Sequence, residues 1–229
     1  MKKTELYSSY KSFIKNNYPT TFLAKPDEHS NDAAQLYICI YKIIFQLKLM
    51  RNKYGIENER KHYIQEIEQL FLKVLLVLPL NDKYLLDTLL RSISESELRL
   101  ILTASSNRRI SKFEIEKASF STIKKQINLD SYLFKRKKQF IYLYDLFSTS
   151  SVKLHGPLTD IDTILYLNEQ LRTSLNYGTY KKKIFNILRI NLNIFQNEMP
   201  LKYADYGIEE LTILKNIFSH SEQIKLDYY

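Results

Sequence analysis

Apolar residues recur along this chain at three- and four-residue spacing, and short polar interruptions divide them into segments. Leu6, Tyr10, Phe13 and Ile14 predict a short amphipathic helix over Thr4–Asn16. Pro19 and Pro26 bracket an irregular link that ends at Ser30-Asn31-Asp32, side chains suited to opening a helix. Leu36, Ile40, Ile43, Leu47 and Met50 carry the next stripe, widened by Ile44 and Phe45, to about Asn52. Gly55 ends that unit. Asn58 opens a third helix through Tyr63, Ile64, Ile67, Leu70, Phe71, Val74 and Leu75, which Pro79 closes. Asn81-Asp82 caps a fourth, with Leu86, Leu89, Leu90, Ile93, Leu100 and Ile101 on one broad face.

Two polar features interrupt that fourth stripe. Glu97 falls inside the apolar face, where a carboxylate needs a cationic or hydrogen-bonding partner or a raised pKa. Arg91, Glu95 and Arg99 stand at i, i+4 and i+8 and form a ladder of opposite charges. The ladder is either solvated or a polar seam against another helix. Leu98 and Leu102 flank it and favour burial, so Arg91, Glu95 or Glu97 is expected to be buried and paired.

Ser111 caps a fifth helix to roughly Ile127. Asp130-Ser131 opens a sixth, which carries Phe140, Ile141, Leu143, Tyr144 and Phe147 and stops in a hydroxyl-rich turn, Ser148 to Ser151. His155, Gly156 and Pro157 follow. Further helices are predicted over Asp160–Leu171, over Thr179–Phe195 after a break at Tyr177-Gly178, and over Ile208–Lys225. Four glycines and five prolines are few for a β-rich domain. There is no internal repeat, heptad run or low-complexity linker. The pattern therefore predicts one all-α domain over residues 1–229, an irregular bundle of about seven to nine helices, with residues 1–30 supplying an N-terminal helix and a link.

Composition narrows the function classes. Among 229 residues, 34 Lys and Arg oppose 25 Asp and Glu, a formal charge of +9 that favours an anionic partner, RNA or an acidic protein. Cys39 is the only cysteine, which excludes an intrachain disulfide and a cysteine zinc cluster. The four histidines are scattered, and neither a metal nor a cofactor is expected. Lys2 and Lys3 lead into polar residues with no leader-like apolar run. The longest apolar stretch, Val74–Leu80, is too short to span a bilayer. No membrane partner and a cytoplasmic location are expected. No phosphate-binding glycine loop, HExxH, G-x-S-x-G or calcium loop is present.

Three polar groupings remain as candidate chemistry. His155, in its His-Gly-Pro turn, is a candidate general acid or base, or a side chain closing a helix end. On a continuous helix Asn216 and His220 share a face, with Lys215 beside them. A cation, an amide and an imidazole together suit gripping a phosphodiester and moving the proton of a ribose hydroxyl. The third grouping is the basic segment Arg108, Arg109, Lys112, Lys117, Lys124, Lys125, Lys135, Arg136, Lys137 and Lys138. Only Glu114, Glu116 and Asp130 oppose it. Phe113, Phe120, Tyr132 and Phe134 are interleaved with these cations and, where exposed, can stack on unpaired bases.

The K-N-x-x-x-H segment in an all-helical chain resembles the HEPN superfamily, whose motif is arginine, often asparagine, then histidine four to six residues on. LLRSISESELRLI followed by LYDLFSTSSVKLHG resembles a group of bacterial helical proteins linked to abortive infection, which share a buried Arg/Glu helix and a Y-x-x-x-S…H-G segment. The resemblance implies a helical bundle, often dimeric, acting on RNA without metal, with Lys215, Asn216 and His220 at the motif positions. Lys215 departs from the motif's arginine, and lysine does not reproduce bidentate phosphate contact. Two functions follow. One is an RNA-directed effector of phage defence or a toxin system, binding RNA and cleaving it if those three residues act together. The other is a non-catalytic helical protein that binds an acidic partner or a second copy of itself.

Overall fold

The helix starts follow from side chains that can accept the unpaired backbone N–H groups of a first turn. Asp82 accepts from Leu85 N at 2.9 Å and opens a 22-residue helix. Asp130 Oδ1 accepts from Tyr132 N and Leu133 N, both at 2.9 Å. The computed structural model describes residues 2–25, 30–53, 59–105, 110–154, 175–198 and 200–228. Eleven α-helices and no strand occur among these residues. They are α1 (Lys3–Asn17), α2 (Ser30–Lys53), α3 (Glu59–Val77), α4 (Lys83–Ala104), α5 (Lys112–Lys117), α6 (Phe120–Leu129), α7 (Ser131–Arg136), α8 (Ile141–Leu154), α9 (Tyr177–Glu198), α10 (Ile208–Ile217) and α11 (His220–Lys225).

The predicted stripes are the core. Leu36, Ile40, Ile43, Leu47 and Met50 of α2 are buried, as are Ile64, Ile67 and Phe71 of α3 and Leu86, Leu90, Ile93 and Ile101 of α4. The helices α8, α4, α3, α2 and α9 follow one another as packed neighbours, and α9 returns to touch α4 and α8. Helix α2 is long and apolar enough to cross a membrane by length and composition. It passes that test because its apolar residues run nearly all round the helix, interrupted by Lys42, Gln46 and Lys48 rather than forming one run. Here its stripe packs on α3 and α9.

Three predicted helices are each divided in two, because side chains take over backbone bonds. The predicted Ser111–Ile127 helix breaks at Ala118-Ser119. There Ser119 Oγ accepts from Thr122 N at 3.2 Å, and the Ala118 carbonyl accepts instead from Arg99 at 3.0 Å. The donor and acceptor that would have bonded each other in a continuous helix thus both find side chains. The sixth helix breaks between Lys137 and Phe140, a 3-10 turn that carries the Phe140 ring into the core. The last helix breaks at Phe218-Ser219. The buried Gln223 amide donates to the carbonyls of Leu214, Lys215 and Phe218 and so closes the end of α10.

Two expected breaks differ in position. The hydroxyl run Ser148–Ser151 is not a turn, because α8 continues to Leu154. Thr149 and Ser151 donate back to the carbonyls of Asp145 and Phe147, both at 2.8 Å, so their hydroxyls need no partner outside the helix. Tyr177-Gly178 begins α9, where Asn176 Oδ1 accepts from Thr179 N at 2.9 Å. The predicted Asp160–Leu171 helix lies outside the described residues.

Candidate nucleic-acid interface

Short helices α5, α6 and α7 form the basic segment. The Ser111 hydroxyl and backbone start α5, meeting Glu114 in a reciprocal cap. Those bonds from Ser111 hold the exposed Glu114 carboxyl below its usual range. Ser119 then opens α6, and Asp130 opens α7. The amphipathic helices bury Ile115, Ile123, Ile127 and Leu133. Their opposite faces carry Lys112, Lys117, Lys124, Lys125 and Lys135 to solvent, followed by Lys138.

The three carboxylates of this segment do little to neutralise it. Asp130 is buried, accepts from Ser105 Oγ at 2.6 Å and caps α7. Glu114 is turned onto Ser111. Glu116 stands 4.0 Å from Lys112, too far for a tight pair. Lys125, Lys135 and Lys138 make no ion pair or hydrogen bond among the described residues. Other cations lie on rings: Lys117 is 4.0 Å from the centre of Phe113, Arg136 is 4.4 Å from Tyr132, Lys124 is 5.4 Å from Tyr144 and Lys137 is 5.9 Å from Phe134.

The four interleaved aromatics divide into two kinds. Phe120 belongs to the core boundary, stacked on Phe147 with centroids 3.6 Å apart, and Tyr132 is half-buried. Phe113 and Phe134 are 62% and 56% exposed. Phe113 also borders a cleft of about 510 Å³ between α5 and α6, walled by Ile110, Lys117, Ser119, Thr122 and Gln126. An exposed ring with an ammonium group beside it offers one face for stacking and a charge for a phosphate. Ser119, Thr122 and Gln126 were not foreseen as part of this surface. The signal was Ser119, a cap residue inside what read as one helix. Arg108 and Arg109 lie outside the described residues, as does His155.

The polar features of α4 separate into two. Glu95 and Arg99 pair at 2.8 Å, and Arg99 reaches on to Ala118, so this rung braces α4 against the start of α6. Arg91 pairs with no carboxylate among the described residues; its guanidinium lies 4.9 Å from the centre of the Phe147 ring in α8. Glu97 is 0% exposed with no cation beside it among the described residues, so of the alternatives the sequence left open it takes the raised pKa rather than a cationic partner. Burial raises its carboxyl to about 8, and the Asn191 amide of α9 draws it back slightly. No atom of either side chain completes a hydrogen bond among the described residues. The reason is helical phase: 97 lies opposite 91, 95 and 99 on α4 and so faces α9 rather than the ladder.

The helix break at Phe218-Ser219 separates the other candidate grouping. Lys215 and Asn216 stand near the end of α10, whereas His220 begins α11 after two extended residues. All three are exposed. The four-residue spacing therefore does not put Asn216 and His220 on one face of a continuous helix, because the helix ends at Ile217. Among the described residues there is no cluster of three or more metal-ligating side chains. Comparison with protein-family models, with curated proteins and with solved structures finds no match.

Proposed function

We propose that this protein binds single-stranded RNA on the surface formed by α5, α6, α7 and the 3-10 turn after it. The supporting observation is the combination of two exposed rings, Phe113 and Phe134, with lysines beside them and further lysines that have no acidic partner among the described residues. Unpaired bases present faces for those rings, and the phosphates between them meet the cations. The resemblance to HEPN-type proteins extends this to a cytoplasmic, RNA-directed effector of phage defence or toxin type. Cleavage is the weaker part of that reading, because His220 opens a separate helix from Lys215 and Asn216.

Binding of a labelled single-stranded RNA, followed by fluorescence anisotropy over a salt series, tests the proposal. Affinity should fall linearly on a logarithmic salt scale. Phe113→Ser with Phe134→Ser should weaken binding by ~1–3 kcal/mol per stacked base without altering the salt slope. Absence of binding even at low salt would remove the reading. Activity lost in His220→Ala would restore the cleavage arm. The second reading, self-association, is favoured by Leu72 and Leu76, exposed one helical turn apart on α3. Sedimentation over a concentration series distinguishes it.

A further inference from the structure

Helices α2 and α9 pack side by side, yet they leave a cleft of about 450 Å³ between them near the start of α1. That volume suits a small organic molecule. Its apolar surface comes from Ile38, the half-buried Cys39 and Phe185. Phe185 is 50% exposed, although its neighbours Ile184, Ile187 and Leu188 are all buried. Leaving an aromatic face in water forgoes the burial that stabilises the rest of α9.

The charges around this cleft are of two kinds. Lys42 is committed to Glu222 at 2.6 Å, and Lys181 to Asp32 at 2.5 Å and Gln35 at 3.0 Å. Lys3 and Lys182, which also border the cleft, have no ion pair or hydrogen bond among the described residues. Two uncommitted ammonium groups beside an open aromatic face suit one chemistry. We propose that this cleft binds a small organic anion that joins a phosphate or carboxylate to a flat apolar ring, with the anion on Lys3 and Lys182 and the ring against Phe185 and Ile38. The cleft is built from other elements than the RNA surface and does not depend on it.

Cys39 in the cleft wall is a reporter rather than a nucleophile. Burial raises its thiol pKa above the ordinary value, against the lowering pull of Lys42, Lys181 and Lys3. As the chain's only cysteine it gives a single readout, its rate of alkylation by iodoacetamide. Adenosine 5′-monophosphate is the probe, with adenosine and inorganic phosphate as partial ligands. The nucleotide should slow alkylation in a saturable way and show heat on calorimetric titration. Each partial ligand should bind about tenfold more weakly or worse, because each lacks one of the two contacts. Lys3→Gln with Lys182→Gln should weaken the nucleotide at least about fivefold, and Phe185→Ser should weaken it independently. Both variants replace exposed side chains, so an unchanged melting temperature serves as the control. The proposal is overturned if saturating nucleotide neither slows alkylation nor gives heat, if phosphate alone binds as tightly, or if both variants bind like the unaltered protein.

Discussion

Lysine serves opposite ends in two regions of this molecule. Around α2, α9 and α11 most lysines meet a carboxylate: Lys42 with Glu222 at 2.6 Å, Lys181 with Asp32 at 2.5 Å, Lys183 with Asp87 at 2.9 Å. Each of these pairs joins separate elements, so the charge fixes how helices sit against each other. From Lys112 to Lys138 the lysines meet ring faces or water, apart from Lys112 with Glu116 at 4.0 Å, and the carboxylates of Glu114 and Asp130 cap helices. The first region uses charge internally. The second leaves it available to a partner. Net charge alone does not distinguish them, because what matters is whether each cation already has its anion.

The strongest way to break this contrast is to remove an anion from the paired region. Glu222→Ala leaves Lys42, with a side chain 9% exposed, without its partner and removes the cap of α11. Loss of ~3–5 kcal/mol is expected in denaturant unfolding, the range for an uncompensated buried charge. A loss under about 1 kcal/mol, the surface-pair range, would show that the pair is not structural.

Glu97 sharpens the comparison, because it is a buried acid with no cation beside it among the described residues. Burial pushes Glu222 upward too, but Lys42 and the Ser219 N–H outweigh this and hold it below its ordinary value, while Glu97 rises to about 8. The folded protein therefore keeps a proton on Glu97 that the unfolded chain releases above about 4.5. Its contribution is complete below pH 4.5 and is lost as pH rises toward about 8. On the order of 3 kcal/mol is expected across that window, allowing for relaxation around the acid. Glu97→Gln, neutral at every pH, should flatten this component of the slope and raise the melting temperature at pH 8 but little at pH 5. An unchanged profile would mean that the buried acid is solvated.

Smaller effects are expected in the second region. Ser119→Ala removes the cap between α5 and α6 and should cost about 1 kcal/mol, read by thermal unfolding. Replacing the exposed Lys125, Lys135 and Lys138 together with glutamine should barely move the melting temperature, because exposed charges contribute little. The same replacement should weaken RNA binding and flatten its salt dependence. A large loss of stability instead would place these cations in the paired class.

The apolar stripes were legible because burial acts on each residue type alike along a helix, and Leu36, Ile40 and Ile43 need no knowledge of their partners to be assigned inward. The acid Glu97 was legible as an anomaly for the same reason, but not its surroundings. Which neighbour it meets depends on α9 returning to α4, and Asn191 lies 94 positions away. The breaks at Ala118, Phe140 and Phe218 escaped because each involves side chains or a buried ring whose place is set by packing. Arg99 reaching Ala118 is the plainest case, since nothing near residue 118 announces a guanidinium from α4.

The sequence by itself determined an all-α chain, the inward faces of its long helices and a basic segment from Arg108 to Lys138. Periodicity, scarce glycine and local charge are properties of neighbours along the chain. Tertiary structure alone decided that Phe113 and Phe134 stay outside while Phe120 stacks on Phe147, and that Lys42 meets a carboxylate while Lys3 and Lys182 meet none among the described residues. It also placed His220 on a different helix from Asn216. Exposure and pairing depend on what the folded chain brings to each side chain, and those partners come from distant elements.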